Sequence, residues 1–235
     1  MIGRRPKVGG SNLRVTWNIK AGRCRTARGY LALLRAFRRI LRRHDRPAVI
    51  ALNECGGNWR AVKRIAKNHG YRIITGRGAE GASSALLIRN DVPVTDSGLI
   101  QVNAPWVGPK GGKHPGRTFP WATVRIAGMS RNEVAVHLPW SLERNAWSFN
   151  TCLDTLVAFE SNSSLPVEFL GDWNVRVGSV AMHRFAQRFD GHVVRTGDPL
   201  IYAVVSGFLK ARNVIGRAKT HEGSDHPYAV LRDTA

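Results

Sequence analysis

Seven side chains of this sequence have the chemical type and the placement to form a reactive site: Asn18, Glu54, His137, Asp172, Asn174, Asp225 and His226. Each abuts an apolar run with the pattern of a β-strand. Taken alone, the segments are weak. Gly171-Asp172-Trp173-Asn174 by itself reads more readily as an Asx-rich turn closing a strand, and a lone histidine beside a core strand, such as His137, is more often structural. The repetition carries more weight: two amides, three acids and two histidines delivered from five strand ends are what a converging metal and acid/base site needs. Asp172 and Asn174 share a face if the chain stays extended. A carboxylate and a carboxamide presented together suit a metal, a water or a phosphate oxygen.

Those tips require strands behind them. Residues 13–18 alternate, with Leu13, Val15 and Trp17 on one face and Asn18 closing the other, as in a half-buried strand. Residues 48–52 are wholly apolar and end on Asn53-Glu54, the pattern of a strand buried on both sides. Residues 133–136 deliver His137, and 165–170 deliver Gly171-Asp172. Pro227 pushes His226 out of the helical region, so Asp225 and His226 sit on a turn at the mouth of a last strand over 228–231. Further strands are expected at 71–75, 85–88, 99–102, 118–126, 200–205 and 209–214, the early Pro120 marking an edge strand or a bulge. Tyr30, Leu33, Leu34, Phe37, Ile40 and Leu41 recur at helical spacing up to the break at Pro47. Helices are also expected over 59–69, stopping at Gly70, over 142–161, and around Met182, Phe185 and Phe189. The arginine-rich face of the first helix suits nucleic acid or an anionic membrane, although such a face is more often simply solvated.

With 235 residues, 43% of them hydrophobic, and seven tryptophans, the chain can bury a sizeable core. One domain over 13–235 is expected, preceded by a mobile basic tail over 1–12 that either solubilises the chain or touches phosphates. Lys and Arg number 36 against 16 Asp and Glu, a net charge of +20 that points to a polyanionic partner, nucleic acid before membrane surface. The glycine- and lysine-rich loop between Pro105 and Gly116 offers Lys110 and Lys113 as phosphate contacts. No apolar run reaches the roughly 18 residues needed to span a bilayer, and the first dozen residues lack the apolar segment of a secretory signal. The three cysteines, Cys24, Cys55 and Cys152, are odd in number and without metal-ligand spacing, which suits a reducing, cytoplasmic compartment. A monomer without stable membrane association is expected.

Trp17-Asn18-Ile19, Asn53-Glu54, Val136-His137-Leu138, Gly171-Asp172-Trp173-Asn174 and Ser224-Asp225-His226-Pro227 occur in an order and spacing that resemble the endonuclease/exonuclease/phosphatase superfamily, over nearly the whole chain. The resemblance implies a four-layer αββα sandwich, an α/β fold of two mixed β-sheets packed face to face with helices outside. It also implies hydrolysis of a phosphate ester with Mg²⁺ or Mn²⁺. Glu54 matches the principal metal ligand, assisted by Asn18 and Asp225. Asp172 and Asn174 match residues that orient the attacking water and hold the phosphate. His226, braced by Asp225, matches a general base or phosphate-oxygen donor, and His137 a second imidazole facing the developing charge. Arg117 aligns with a phosphate-contacting arginine of the deoxyribonuclease branch, and reads otherwise as a surface arginine before a strand.

The sequence departs from the family pattern at Ile201, where an aspartate usually orients the imidazole of the last motif, and Asp198 stands nearby as a substitute. Distributed arginines with interspersed tryptophans favour a long phosphate backbone, bound through counterion release without direct reading of bases. The reading is a weakly sequence-selective, metal-dependent nuclease, DNA before RNA. Two alternatives stand beside it: a phosphatase or phosphodiesterase of lipid or small-molecule phosphates, and a nucleic-acid-binding homologue with impaired catalysis.

Overall fold

A computed structural model describes residues 10–19, 26–56, 59–76, 84–108, 110–140, 143–196, 198–206 and 228–233. Two sheets form its centre. The first contains β1 (Arg14–Asn18), β2 (Val49–Asn53), β3 (Tyr71–Thr75), β4 (Ser84–Arg89) and β13 (Ala229–Leu231), in the order β13-β1-β2-β4-β3. The second contains β5 (Val94–Val102), β8 (Arg117–Ile126), β9 (Met129–His137), β10 (Val167–Asp172), β11 (His192–Val194) and β12 (Ile201–Val205), in the order β11-β12-β10-β9-β8-β5. Both sheets are mixed: β1 and β2 run parallel in one, β9 and β10 in the other, with the remaining pairs antiparallel.

Strand alternation sorts side chains into four layers. Ile50, Leu52, Val15 and Trp17 pack outward against α1 (Ala27–Arg43) and α2 (Trp59–Asn68). Val134, Val136, Phe169 and Val204 pack outward on the other side, against α3 (Ala146–Ser161) and α4 (Val180–Gln187). Val49, Ala51, Leu86, Ala135, Leu170 and Ala203 meet between the sheets. This is the αββα sandwich that the family resemblance implied. It corrects the expectation of a half-buried β1: Arg14, Thr16 and Asn18 face the second sheet, and all five residues of the strand are buried.

Other departures have local causes. Pro120 does not mark an edge strand, because β8 lies between β5 and β9. Pairing of β8 with β9 begins at Trp121, however, so at Pro120 the strand has only β5 beside it and the missing N–H is tolerated. α3 starts at Ala146 and not at 142; Asn145 precedes it, bonded by its side chain to both backbone groups of Val107 at 2.7 and 3.0 Å. Within the expected loop, β6 (Trp106–Val107) and β7 (Lys113–His114) form a short hairpin. α1 is capped by Thr26, whose hydroxyl accepts the Gly29 N–H at 3.1 Å, and ends before Asp45 and Arg46, both at positive φ. Cys55 and Cys152 are buried. Cys24, residues 1–9 of the expected tail and the expected strand at 209–214 lie outside the described residues. Among the described residues, no helix is long and apolar enough to cross a membrane.

Candidate active site

The register of the two parallel pairs sets the site. Asn18 is level with Asn53 on β1 and β2, and Asp172 is level with His137 on β10 and β9, so four strands end together at one edge of the sandwich. The polar tips then meet across the gap between sheets. Asn18 Nδ2 donates to Glu54 Oε1 at 2.8 Å and to Asp172 Oδ2 at 2.7 Å. One donor atom from each of Glu54, His137 and Asp172 lies within 4.8 Å of the others. Asn53, which sequence reasoning did not assign to the site, donates from Nδ2 to Val136 O at 2.8 Å, a second polar bridge between the sheets. Asp172 and His137 are buried, at 2% and 8% exposure.

Glu54 and Asn174 leave their strands by the same device. Both have positive φ, 57° and 50°, which turns the side chain off the line of the strand. The alternation expected to carry Asp172 and Asn174 to one face therefore does not apply, because β10 stops at Asp172. Asn174 reaches the site through an Asx turn, its N–H donating to Asp172 Oδ1 at 3.0 Å and its Nδ2 to Leu138 O at 2.8 Å. Between them, Trp173 is fully buried on the opposite side, stacked on Tyr202 at 5.4 Å and bonded to Tyr202 O at 3.0 Å. Burial, reinforced by the Asp172 charge, pushes the Tyr202 phenol well above its ordinary range, so Tyr202 acts as a neutral donor to Val175 O at 3.1 Å.

Arg117 is not a surface arginine. It is 5% exposed, with Nη1 at 3.2 Å from His137 Nδ1, Nη2 donating to Leu138 O at 3.2 Å, and its guanidinium 3.9 Å above the Trp106 ring. Trp106 in turn stacks on His114 at 4.1 Å, tying the β6–β7 hairpin to the site. Lys110 and Lys113 are exposed on that hairpin. Asp225 and His226 lie outside the described residues. Ile201 is level with Asp172 across the β10–β12 pair, and the nearby Asp198 is engaged with backbone, accepting the Leu200 and Ile201 N–H groups at 2.7 and 2.8 Å.

The family model described as the Endonuclease/Exonuclease/phosphatase family matches residues 15–226. The chain belongs to this family. Members of the endonuclease/exonuclease/phosphatase family are typically metal-dependent hydrolases. No curated protein sequence matches the chain. Solved structures share its fold at low identity. A humanized D. rerio TDP2 with 14 mutations superimposes with a TM-score of 0.70 at 17% identity, over 93% of this chain and 96% of that one. A Bacteroides thetaiotaomicron mannosyl-6-phosphatase gives 0.69 at 14% identity, over 96% and 100%. The human Nocturnin catalytic domain with bound sulfate gives 0.67 at 15% identity, over 93% and 92%.

Proposed function

We propose that this member of the family is a divalent-metal-dependent nuclease that hydrolyses phosphodiester bonds of nucleic acid, DNA before RNA, with little sequence selectivity. The observation that carries the reading is the gathering of Glu54, His137 and Asp172 at the common end of four strands. The net charge of +20 supports a polyanionic substrate.

The donor set fits a hard divalent ion. Two carboxylates are drawn to one neutral amide, and a cation is the natural counter-charge for such a pair. Carboxylates with room for water and substrate oxygens suit Mg²⁺ or Mn²⁺. Glu54 and Asp172 would hold the ion, which when bound supplies charge neutralisation at the phosphoryl oxygens and a more acidic water. Asn18, expected as an auxiliary ligand, presents its N–H groups to both carboxylates and fixes their separation. A guanidinium only donates, so Arg117 makes His137 Nδ1 the acceptor and leaves the proton on Nε2, a donor for charge developing on phosphate. Asn174 holds a phosphate oxygen or the attacking water with the amide hydrogen not engaged by Leu138 O. Asp225 and His226 supply the general base. β13 is antiparallel to β1, with Ala229 opposite Thr16, so the chain enters β13 at the end where Asn18 lies.

Purified protein should cleave plasmid and duplex DNA with Mg²⁺ or Mn²⁺ and not with EDTA, and Glu54→Gln should slow cleavage by at least about a hundredfold. Wild-type rates in Glu54→Gln would remove Glu54 from the reaction. Ile201, in place of the usual acid, favours a second reading, a nucleic-acid-binding chain with impaired catalysis. DNA binding without cleavage under any divalent ion selects it. Faster turnover of a small phosphate ester, undisturbed by competing DNA, selects a phosphatase.

A further inference from the structure

Half of the net charge of +20 sits on one helix layer. α1 carries six arginines, from Arg28 to Arg43, α2 carries four basic residues, from Arg60 to Lys67, and neither helix contains an acid. All ten of these side chains are exposed. The layer across the sandwich has the opposite character: α3 holds Asp154 and Glu160 with no lysine or arginine, and α4 has a single arginine, Arg184.

A merely solvated face does not call for this arrangement. Arg35, Arg38, Arg39 and Arg42 stand three and four residues apart, a spacing at which like charges destabilise a helix and interleaved acids would relieve them. α2 repeats the spacing with Arg60, Lys63, Arg64 and Lys67. At the C-terminal end of α1, Arg38, Arg42, Arg46 and His69 line a groove of about 390 Å³, with Asp45 as its one acid.

We propose that the outer face of α1 and α2 is a docking surface for the phosphate backbone of double-stranded nucleic acid, separate from the candidate active site at the strand ends. Eight of the ten cations are arginines, whose planar donors match phosphate oxygens two at a time. A membrane partner is disfavoured because the apolar faces of both helices are already packed on the first sheet, and α1 exposes a single large apolar side chain, Leu31. The 17 residues of α1 extend about 25 Å, roughly seven base pairs of duplex. α2 begins five residues after Glu54, so one end of the surface adjoins the candidate active site along the chain. Its use in placing substrate rests on the nuclease reading; the binding itself does not.

The test uses the full chain carrying Arg35→Gln, Arg42→Gln, Arg64→Gln and Lys67→Gln together, read by fluorescence anisotropy with a labelled duplex in EDTA across a salt series. Loss of four phosphate contacts should weaken binding at least about tenfold and reduce the log–log salt slope by about 3 to 4. A companion chain with the three arginines changed to Lys and Lys67→Arg should retain the wild-type slope. Hydrolysis of a small chromogenic phosphodiester should be the same in all three chains. Wild-type affinity and slope in the Gln chain would overturn the proposal. So would tighter binding of the wild type to phosphatidylserine vesicles than to DNA. If the wild type cleaves no nucleic acid but the Gln chain still loses binding, the nuclease reading falls and the surface stands.

Discussion

Glutamate seldom adopts positive φ, yet Glu54 sits at 57° and Asn174 at 50°. Each is held there by what its side chain or amide reaches, Asn18 in one case and Asp172 with Leu138 in the other. Strain of this kind persists where the surrounding structure over-determines it. The types and order of the site residues were legible in the sequence, because each polar group interrupts an apolar run. The turns that aim them were not, since a left-handed residue that is not glycine leaves no compositional mark. Asn18 is the residue on which the placing of the two carboxylates depends, as its amide donates to both Glu54 and Asp172. Hydrogen bonds to charged groups contribute about 1.5–3 kcal/mol each, so Asn18→Ala should lower stability by about 3 kcal/mol in EDTA. A urea midpoint equal to wild type would show that the two bonds are replaced by water at no cost.

At the level of elements, strands buried on both faces were readable when wholly apolar, as in β2, and misread when polar residues alternated, as in β1. Arg14 and Thr16 looked solvent-facing because nothing local announces a second sheet above them. The hairpin of β6 and β7 was hidden for a related reason: besides the stacking of Trp106 between His114 and Arg117, it is held by Asn145, far along the chain, which bonds both backbone groups of Val107. Gly171, by contrast, was visible as a residue type but not as a requirement. Its strand partner is Val136, and a Cβ at this position would stand 1.8 Å from Val136 O, the carbonyl that Asn53 also binds. The glycine thus lets β10 approach β9 closely enough to bring Asp172 level with His137. Gly171→Ala should cost about 3 kcal/mol by overpacking, and should lower kcat with it as the strands part. An unchanged denaturation midpoint would mean that β9 yields freely, against the buried surroundings of both strands.

Across the whole molecule, the space between the sheets is polar at both ends and, Thr16 apart, apolar in the middle. β1 and β10 each point three residues into it, Arg14, Thr16 and Asn18 and Glu168, Leu170 and Asp172, and β9 points four, Arg131, Glu133, Ala135 and His137. One end is the candidate active site. The other is a buried ion cluster in which Arg14 donates to Glu168 at 2.9 Å and Asp233 bonds both Arg14 at 2.8 Å and Arg131 at 2.6 Å. Glu133 lies beside Glu168 with neither carboxyl oxygen within hydrogen-bond distance of a described donor, and Arg14 is 3.9 Å away.

Burial first, and the neighbouring Glu168 second, hold the Glu133 carboxyl well above its ordinary range. A neutral Glu133 leaves two arginines balanced by two carboxylates. Because the folded value is raised, the stabilisation from Glu133 is complete below the unfolded carboxyl's pKa of 4.5 and is lost as pH climbs towards the folded one. Glu133→Gln keeps the shape and removes the titration, so the variant should gain on wild type by about 1.4 kcal/mol per pH unit once pH exceeds roughly 5. Asp233 does not obscure the window. Although burial alone would raise it, the hydrogen bond and charge of Arg131 with the charge of Arg14 set it below 3.8, and its contribution is lost only as pH falls through that lower value. Denaturant melts of both chains at three pH values above that point measure the difference directly. Parallel stability curves would mean that Glu133 is already ionised in the fold, and that the arginines compensate three carboxylates in place of two.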